Sequence, residues 1–291
     1  MDHRIDYDRR FGGIARLYGQ AALERFAKAR VCVVGIGGVG SWVAEALARS
    51  AIGNLTVVDL DHVAESNINR QIHALDATLG QAKVAAMAER IAQINPSCAV
   101  EQIEDFAEPD NVANLLPPGK FDFVVDAIDS VKSKVALIAW CREHAIPLIT
   151  VGSAGGQIDA TCVRIADLAH TQHEPLLARV RRRLRARHGF PRNIKVKFGI
   201  DAVFSDEPLI YPAGPEADVC AIESSDDRNE MVERVEPITG LNCAGFGSTV
   251  AVTAVFGFVA AGHVLARLAA GSSRNHASAP AGCTPLRRLD S

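Results

Sequence analysis

A chain of 291 residues can form one large domain or two small ones. With 48% hydrophobic but only 5% aromatic residues, its core has to be mostly aliphatic and alanine, which suits an α/β sheet covered by helices. The net charge of −3 gives no global electrostatic case for nucleic acid, so an RNA site would have to be a local patch.

In chain order, residues 1–28 are polar and then helical in spacing. An apolar run, 31–34, enters the glycine turn Gly35-Ile36-Gly37-Gly38-Val39-Gly40. Helical spacing continues over 41–50, carried by Trp42, Val43, Ala46 and Leu47, and a second apolar run, 55–58, ends on Asp59. Residues 81–94 space Val84, Met87, Ala88 and Ile91 as an amphipathic helix that Pro96 ends. A third strand is predicted over 99–103, a short helix over 110–116, and a strand buried on both faces over 121–126. A helix over 133–144 and a fifth strand over 147–151 complete the alternation. The pattern predicts an α/β, Rossmann-like, doubly wound and mostly parallel sheet, with ligands beyond the carboxyl ends of its strands.

After residue 151 the pattern changes. Residues 152–157, Gly-Ser-Ala-Gly-Gly-Gln, read as a flexible loop, and 161–165 as a strand. Residues 176–188 are helical and very basic, with Arg179, Arg181, Arg182, Arg183, Arg185 and Arg187; Lys195 and Lys197 come next at strand-like alternation. Residues 203–205 open a segment leading into 213–239, acidic and rich in breakers, expected as a mobile loop. A second glycine-rich turn, 242–248, precedes 250–268, which is apolar almost throughout and approaches the length of a membrane span. Gly257, Gly262 and His263 interrupt it and no second such segment accompanies it, so it reads as a helix buried against the sheet or in a dimer interface. Residues 272–291 read as a disordered tail.

Strand, glycine turn, helix, strand and acid form a nucleotide-binding βαβ unit. Side chains at Gly35, Gly37, Gly38 and Gly40 would hold backbone N–H groups away from phosphate oxygens, and the helix N-terminus favours negative charge. NAD-dependent dehydrogenases share this much. The segments from Asp59 onward separate the two readings: Asp59-Leu60-Asp61, then Asn67, Asn69-Arg70-Gln71, Lys83, and Asp126-Ala127-Ile128-Asp129. Arg70 can form two hydrogen bonds to phosphate and Lys83 supplies a point charge. Asp129 suits Mg²⁺, which takes one or two carboxylates plus phosphate oxygens. Asn67 and Gln71 suit orientation. Each residue also has a plain alternative: Arg70 paired with Asp61, Lys83 exposed on a helix, Asp126 and Asp129 capping the next helix.

Together these segments resemble the adenylating enzymes of the ThiF and MoeB type, relatives of ubiquitin-activating enzyme. The resemblance implies an ATP·Mg²⁺ site in which Asp59 holds the ribose. Asp61, Asn67, Arg70, Gln71, Lys83 and Asp126 surround the nucleotide, and Asp129 holds the metal. It also implies that Arg10 reaches the phosphates of the other subunit of a homodimer, and it offers Lys134, near Lys132, as the basic residue after the late aspartate. The corresponding organisation is an N-terminal arm and helix (1–29), an adenylating domain (30–271, its nucleotide half about 30–151 and its substrate and dimer half about 152–271), and a tail.

Within that family, Arg10-Phe11-Gly12-Gly13, Asn69-Arg70-Gln71-Ile72-His73-Ala74-Leu75, Gly155-Gly156-Gln157-Ile158-Asp159 and Phe256-Gly257-Phe258-Val259-Ala260 resemble the tRNA threonylcarbamoyladenosine dehydratases. That resemblance implies adenylation of a threonyl carboxylate on tRNA, with release of AMP and pyrophosphate. It further implies a bound monovalent cation (Na⁺ or K⁺) and a cysteine desulfurase sulfur-relay partner. From the residues themselves, RNA is supported by Arg179, Arg182 and Arg183 on one helical face, with Arg185 off it. Their plain alternative is a solvated face near Glu174.

Seven cysteines, no C-x-x-C pair and a charged N-terminus predict a reducing, cytoplasmic setting and argue against a closed zinc site. Cys243, beside a glycine turn and a helix start, is the candidate reactive thiol, with a buried inert thiol as the alternative. Competing functions are an activator of a ubiquitin-like sulfur carrier, an NAD-dependent oxidoreductase, which leaves Arg70, Lys83 and Asp129 idle, and a non-catalytic adapter.

Overall fold

The computed structural model describes residues 6–211 and 246–271; Cys243, the acidic stretch 213–239 and the tail 272–291 lie outside the described residues. Among the described residues seven strands form one sheet: β1 (Arg30–Val34), β2 (Asn54–Val58), β3 (Ala99–Ile103), β4 (Phe123–Asp126), β5 (Leu148–Val151), β6 (Val163–Asp167) and β7 (Asp201–Ser205). Their order is β3-β2-β1-β4-β5-β7-β6. All neighbours are parallel except β6, which runs antiparallel to β7 at the edge. The run predicted as a doubly buried strand holds β4, every residue of which is buried, and the same is true of β5.

Alternation along the strands builds two cores. Val31, Val33, Leu55, Val57, Val125 and Ile149 face one way, toward α2 (Gln20–Lys28), α3 (Gly40–Arg49), α4 (Lys83–Ile94) and the last helix, α8 (Val250–Ala270). Cys32, Val34, Val58, Val124 and Leu148 face the other, toward α5 (Val112–Leu115), α6 (Val131–Glu143) and α7 (Pro175–Arg187). The first helix, α1 (Tyr7–Tyr18), lies against α2 and buries Phe11. Register sets the functional end of the sheet. Val34 pairs with both Val58 and Asp126, so the segments leaving β1, β2 and β4 emerge side by side.

The apolar segment near the C-terminus is a single 21-residue helix. It is long and apolar enough to cross a membrane, but half of its most apolar window is buried inside the protein. It packs on α3 so closely that a Cβ at Gly257 would lie 2.7 Å from Trp42 Cβ and 2.8 Å from the Val39 carbonyl oxygen. Arg25 closes its far end by donating to the carbonyls of Leu268 and Ala269. Gly257→Ala should therefore cost about 1–3 kcal/mol, because two rigid elements must part. A urea midpoint unchanged from wild type would refute that packing.

Two segments differ from the sequence expectation. The loop 152–157 is not loose. Ser153 N donates to Glu174 Oε1 at 2.8 Å, Gly156 N donates to the Gly247 carbonyl at 2.8 Å, and Ile210 N donates to the Gly156 carbonyl at 2.8 Å. Around Lys195 and Lys197 no strand forms. Phe198 N and Gly199 N turn back onto the Asp167 carboxylate at 2.9 and 2.8 Å, and local side-chain capture outcompetes the ladder.

Candidate active site

The glycine turn leaves β1 and starts α3. Gly40 is indispensable there: a Cβ would stand 1.8 Å from the Gly35 carbonyl oxygen. Asp59, just past β2, fixes the turn by accepting from Ile36 N at 2.7 Å, and its other oxygen accepts from Asp61 N at 3.0 Å. Burial holds the Asp59 carboxyl above its ordinary value, against the pull of Lys83 and of these two N–H groups.

Lys83 opens α4 and is buried. Its Nζ lies 2.7 Å from Asp61 Oδ2 and 3.8 Å from Asp59 Oδ1. Asp61 is thus the partner of Lys83, not of Arg70. Arg70 is also buried, and burial pulls its guanidinium below the ordinary arginine value. Its Nη1 donates to the Ser66 carbonyl at 2.8 Å and to Asn69 Oδ1 at 2.9 Å, while its stem crosses Gly38, where a Cβ would be 3.2 Å from Cδ. Trp42 Nε1 donates to the Arg70 carbonyl at 2.8 Å and pins the segment to α3. Gln71 lies beside Gly37, 4.0 Å from a Cβ built there. Asn67 uses its Oδ1 to accept from Ala64 N at 3.1 Å, so it shapes the turn that carries Arg70. Glycine turn, Asp59, Asp61, Arg70, Gln71 and Lys83 therefore meet at one end of the sheet.

Asp126 and Asp129 part company. Asp129 is exposed beyond β4, and Ser130, not either aspartate, caps α6. Asp126 is fully buried and faces inward, onto Lys134 and Thr150. Lys134 Nζ, equally buried, lies 2.9 Å from its Oδ1, and Thr150 Oγ1 donates to its Oδ2 at 2.6 Å. Burial pushes the Asp126 carboxyl up, opposed first by the Lys134 charge. Asp126, expected around the nucleotide, and Lys134, offered as the basic residue after the late aspartate, form a strut joining β4, β5 and α6 beneath the Asp129 turn. The sequence held no sign of this, because a lysine eight residues on looks the same whether it points out or in.

Arg10 also stands apart from the nucleotide end of its own chain. Its Nη1 donates to the Ile94 carbonyl at 2.9 Å, at the end of α4, in a cavity of about 440 Å³ that Arg49 and Arg90 also line. Since α3 begins at the glycine turn and ends at Arg49, this cavity lies about one helix length, ~15 Å, from the turn. Along α7, Arg179 and Arg182 are exposed and Arg183 half-buried. Arg185 is part of the fold: its Nε donates to the Pro191 carbonyl at 3.1 Å, and its guanidinium lies 5.0 Å from the Phe198 ring centroid.

His73, in the same segment as Arg70, carries no sequence signal that marks it as a titrating group. It is 2% exposed, and neither ring nitrogen has a hydrogen-bond partner among the described residues. Burial, helped by the charges of Lys83 and Arg90, pulls its pKa down to about 4. The unfolded chain therefore takes up a proton near the ordinary value of 6.5 that the folded chain refuses until about 4. Stability should fall as pH drops through that window, by about 3 kcal/mol in all. Urea midpoints between pH 7 and 4 should show His73→Phe losing less stability than wild type; parallel curves would refute the assignment.

A mostly parallel sheet with a glycine turn, a ribose-type acid and two buried cations at its carboxyl end defines a Rossmann-like nucleotide-binding protein with a phosphate-directed site. The chain belongs to the ThiF family, whose model matches residues 7–282. It is 52% identical to the tRNA threonylcarbamoyladenosine dehydratase of Escherichia coli (strain K12) over 91% of this chain and 95% of that protein. It is 36% identical to the Bacillus subtilis (strain 168) protein of the same name, over 85% of this chain and 89% of that one. A crystal structure of the E. coli tRNA N6-threonylcarbamoyladenosine dehydratase in complex with ATP aligns with a TM-score of 0.79 at 48% identity, covering 93% of this chain and 98% of that one.

Proposed function

We propose that the chain is an ATP-dependent dehydratase that closes threonylcarbamoyladenosine in tRNA to its cyclic form, and that it does so by adenylation. The observation that carries this reading is the convergence of Arg70 and Lys83 on a glycine turn built for phosphate, in a chain so similar to dehydratases along nearly its whole length.

The backbone N–H groups of the turn and the start of α3 face the phosphates. Each Asp59 oxygen accepts one backbone N–H and retains a lone pair for a ribose hydroxyl. Arg70 and Lys83 offset the charge that builds up on the polyphosphate. Among the described residues no group of three or more His, Cys, Asp or Glu could hold a metal. A magnesium ion at Asp129 would thus draw most of its ligands from phosphate and water, as that ion prefers, and when bound it would neutralise the leaving pyrophosphate. Asp126, Lys134 and Thr150 hold the turn that presents Asp129. Arg10 reaches the phosphates from a second copy of the chain, since it lies too far from its own.

A carboxylate oxygen of the threonyl group attacks the α-phosphorus, and the bridge to the β-phosphate breaks with its electron pair leaving on pyrophosphate. The carbamoyl group of the same modification then attacks the activated carboxyl carbon and loses a proton, and AMP departs with one carboxylate oxygen. One water is removed overall. No protein nucleophile is required, because the attacking group is already tethered. The exposed face of α7, Arg179 and Arg182 with Arg183, is assigned to tRNA phosphates. Activation of a sulfur-carrier protein is not favoured. The test is AMP formation from ATP·Mg²⁺ with tRNA that carries or lacks the modification. The reading expects AMP only with the modified tRNA, and a nucleoside lighter by one water; equal AMP with both tRNAs would reject it.

A further inference from the structure

We infer that Gln157 is a specificity-determining residue that hydrogen-bonds the ureido-carboxylate arm of the substrate, an assignment that rests on the dehydratase reading above. The loop leaving β5 ends at Gln157, on the carboxyl side of the parallel strands, where the glycine turn and Asp129 also lie. This loop is rigidly held. Gly156 is clamped from both sides by Gly247 and Ile210, and the N–H groups of Ile158 and Asp159 donate to the Glu207 carboxylate at 3.0 and 2.9 Å.

Yet the carboxamide at the centre of these contacts makes no hydrogen bond to the described residues. Gln157 is 2% exposed, and neither its Nε2 nor its Oε1 has a hydrogen-bond partner among the described residues. A buried amide left unpaired weakens a fold, and an apolar side chain of similar length would not, so folding alone gives no reason for glutamine here. Gln71, beside the glycine turn, is also buried and leaves its Oε1 unpaired. Two buried amides with an unpaired oxygen therefore lie on the carboxyl side of the sheet, one beside the glycine turn and one in the loop after β5.

The chemistry of the arm is complementary. A carboxamide offers two donors and an acceptor. A threonylcarbamoyl arm presents carboxylate and carbonyl oxygens that accept and ureido N–H groups that donate. A neutral amide also orients a nucleophilic carboxylate without neutralising it, whereas a full ion pair would stabilise the ground state and slow attack.

Gln157→Met keeps the length and removes the hydrogen bonds. We expect kcat/KM for the modified tRNA to fall by about 10- to 100-fold. The KM for ATP should stay within about twofold, and the melting temperature should be equal or higher, since an unpaired buried amide is gone. Gln157→Glu, which brings a like charge to the carboxylate, should fall at least as far in kcat/KM. A Met variant with kcat/KM within about twofold of wild type would overturn the assignment. So would a Met variant that loses activity and melting temperature together, because that marks a structural role. Wild-type protein that makes no AMP with modified tRNA would instead reject the dehydratase reading itself, and the role of Gln157 with it.

Discussion

Lys83→Met is expected to lower kcat/KM for AMP formation by about 10³-fold or more, while the melting temperature moves only slightly. The lysine stands between two carboxylates, 2.7 Å from Asp61 and 3.8 Å from Asp59, at the end of the sheet where the proposed reaction puts the phosphates. Removing it takes away one attractive charge, worth ~4 kcal/mol at contact distance in a partly screened site, or about a thousandfold in rate. It also leaves the two carboxylates to repel the triphosphate. The fold should tolerate the change, because Asp61 is more than half exposed and Asp59 keeps the backbone N–H donors of Ile36 and Asp61. Rates and ATP affinity measured side by side check this. A methionine variant within tenfold of wild type, by the same scale, would show that the phosphates do not pass Lys83.

The second large effect is on stability. Lys134→Met should destabilise the protein by about 3–5 kcal/mol, because it leaves a buried carboxylate without its cation. Both side chains are fully buried, and among the described residues the other side chain on the Asp126 carboxylate is the Thr150 hydroxyl. That loss is a large part of the roughly 5–15 kcal/mol that holds a typical domain together. The double change Asp126→Asn with Lys134→Met should recover part of it, since no charge is then left unpaired. Chemical denaturation of wild type, single and double variants decides: a single Lys134→Met costing under about 1 kcal/mol would mean that Asp126 is held neutral and the pair is not ionic.

The parts of the site written in contiguous segments were legible in the sequence. The glycine turn, Asp59, Arg70 and Lys83 carry backbone or charge requirements that few other residues meet, and the structure brings them together. Strand positions were legible for the same reason: doubly buried runs such as 121–126 admit little else, and β4 falls within it. What stayed hidden was direction. Asp126 and Lys134 have the composition of surface residues but turn inward, and Arg185 has the composition of its neighbours Arg182 and Arg183 but packs on Phe198. The antiparallel edge of β6 with β7 was hidden too, because pairing partners remote in sequence leave no local period. His73 and Gln157 were invisible as unpaired groups, since being unpaired is a property of surroundings and not of sequence.

If the threonyl carboxylate is activated by forming a bond to the α-phosphorus of ATP, its own oxygen must end on AMP. Modified tRNA labelled with heavy oxygen in that carboxylate tests this most directly. After turnover, mass analysis should find one heavy oxygen in AMP and none in pyrophosphate, because the oxygen that attacks the α-phosphorus leaves with AMP when the ring closes. Heavy oxygen in phosphate or pyrophosphate, or an AMP without label, would contradict adenylation and require a different activation of the carboxyl group.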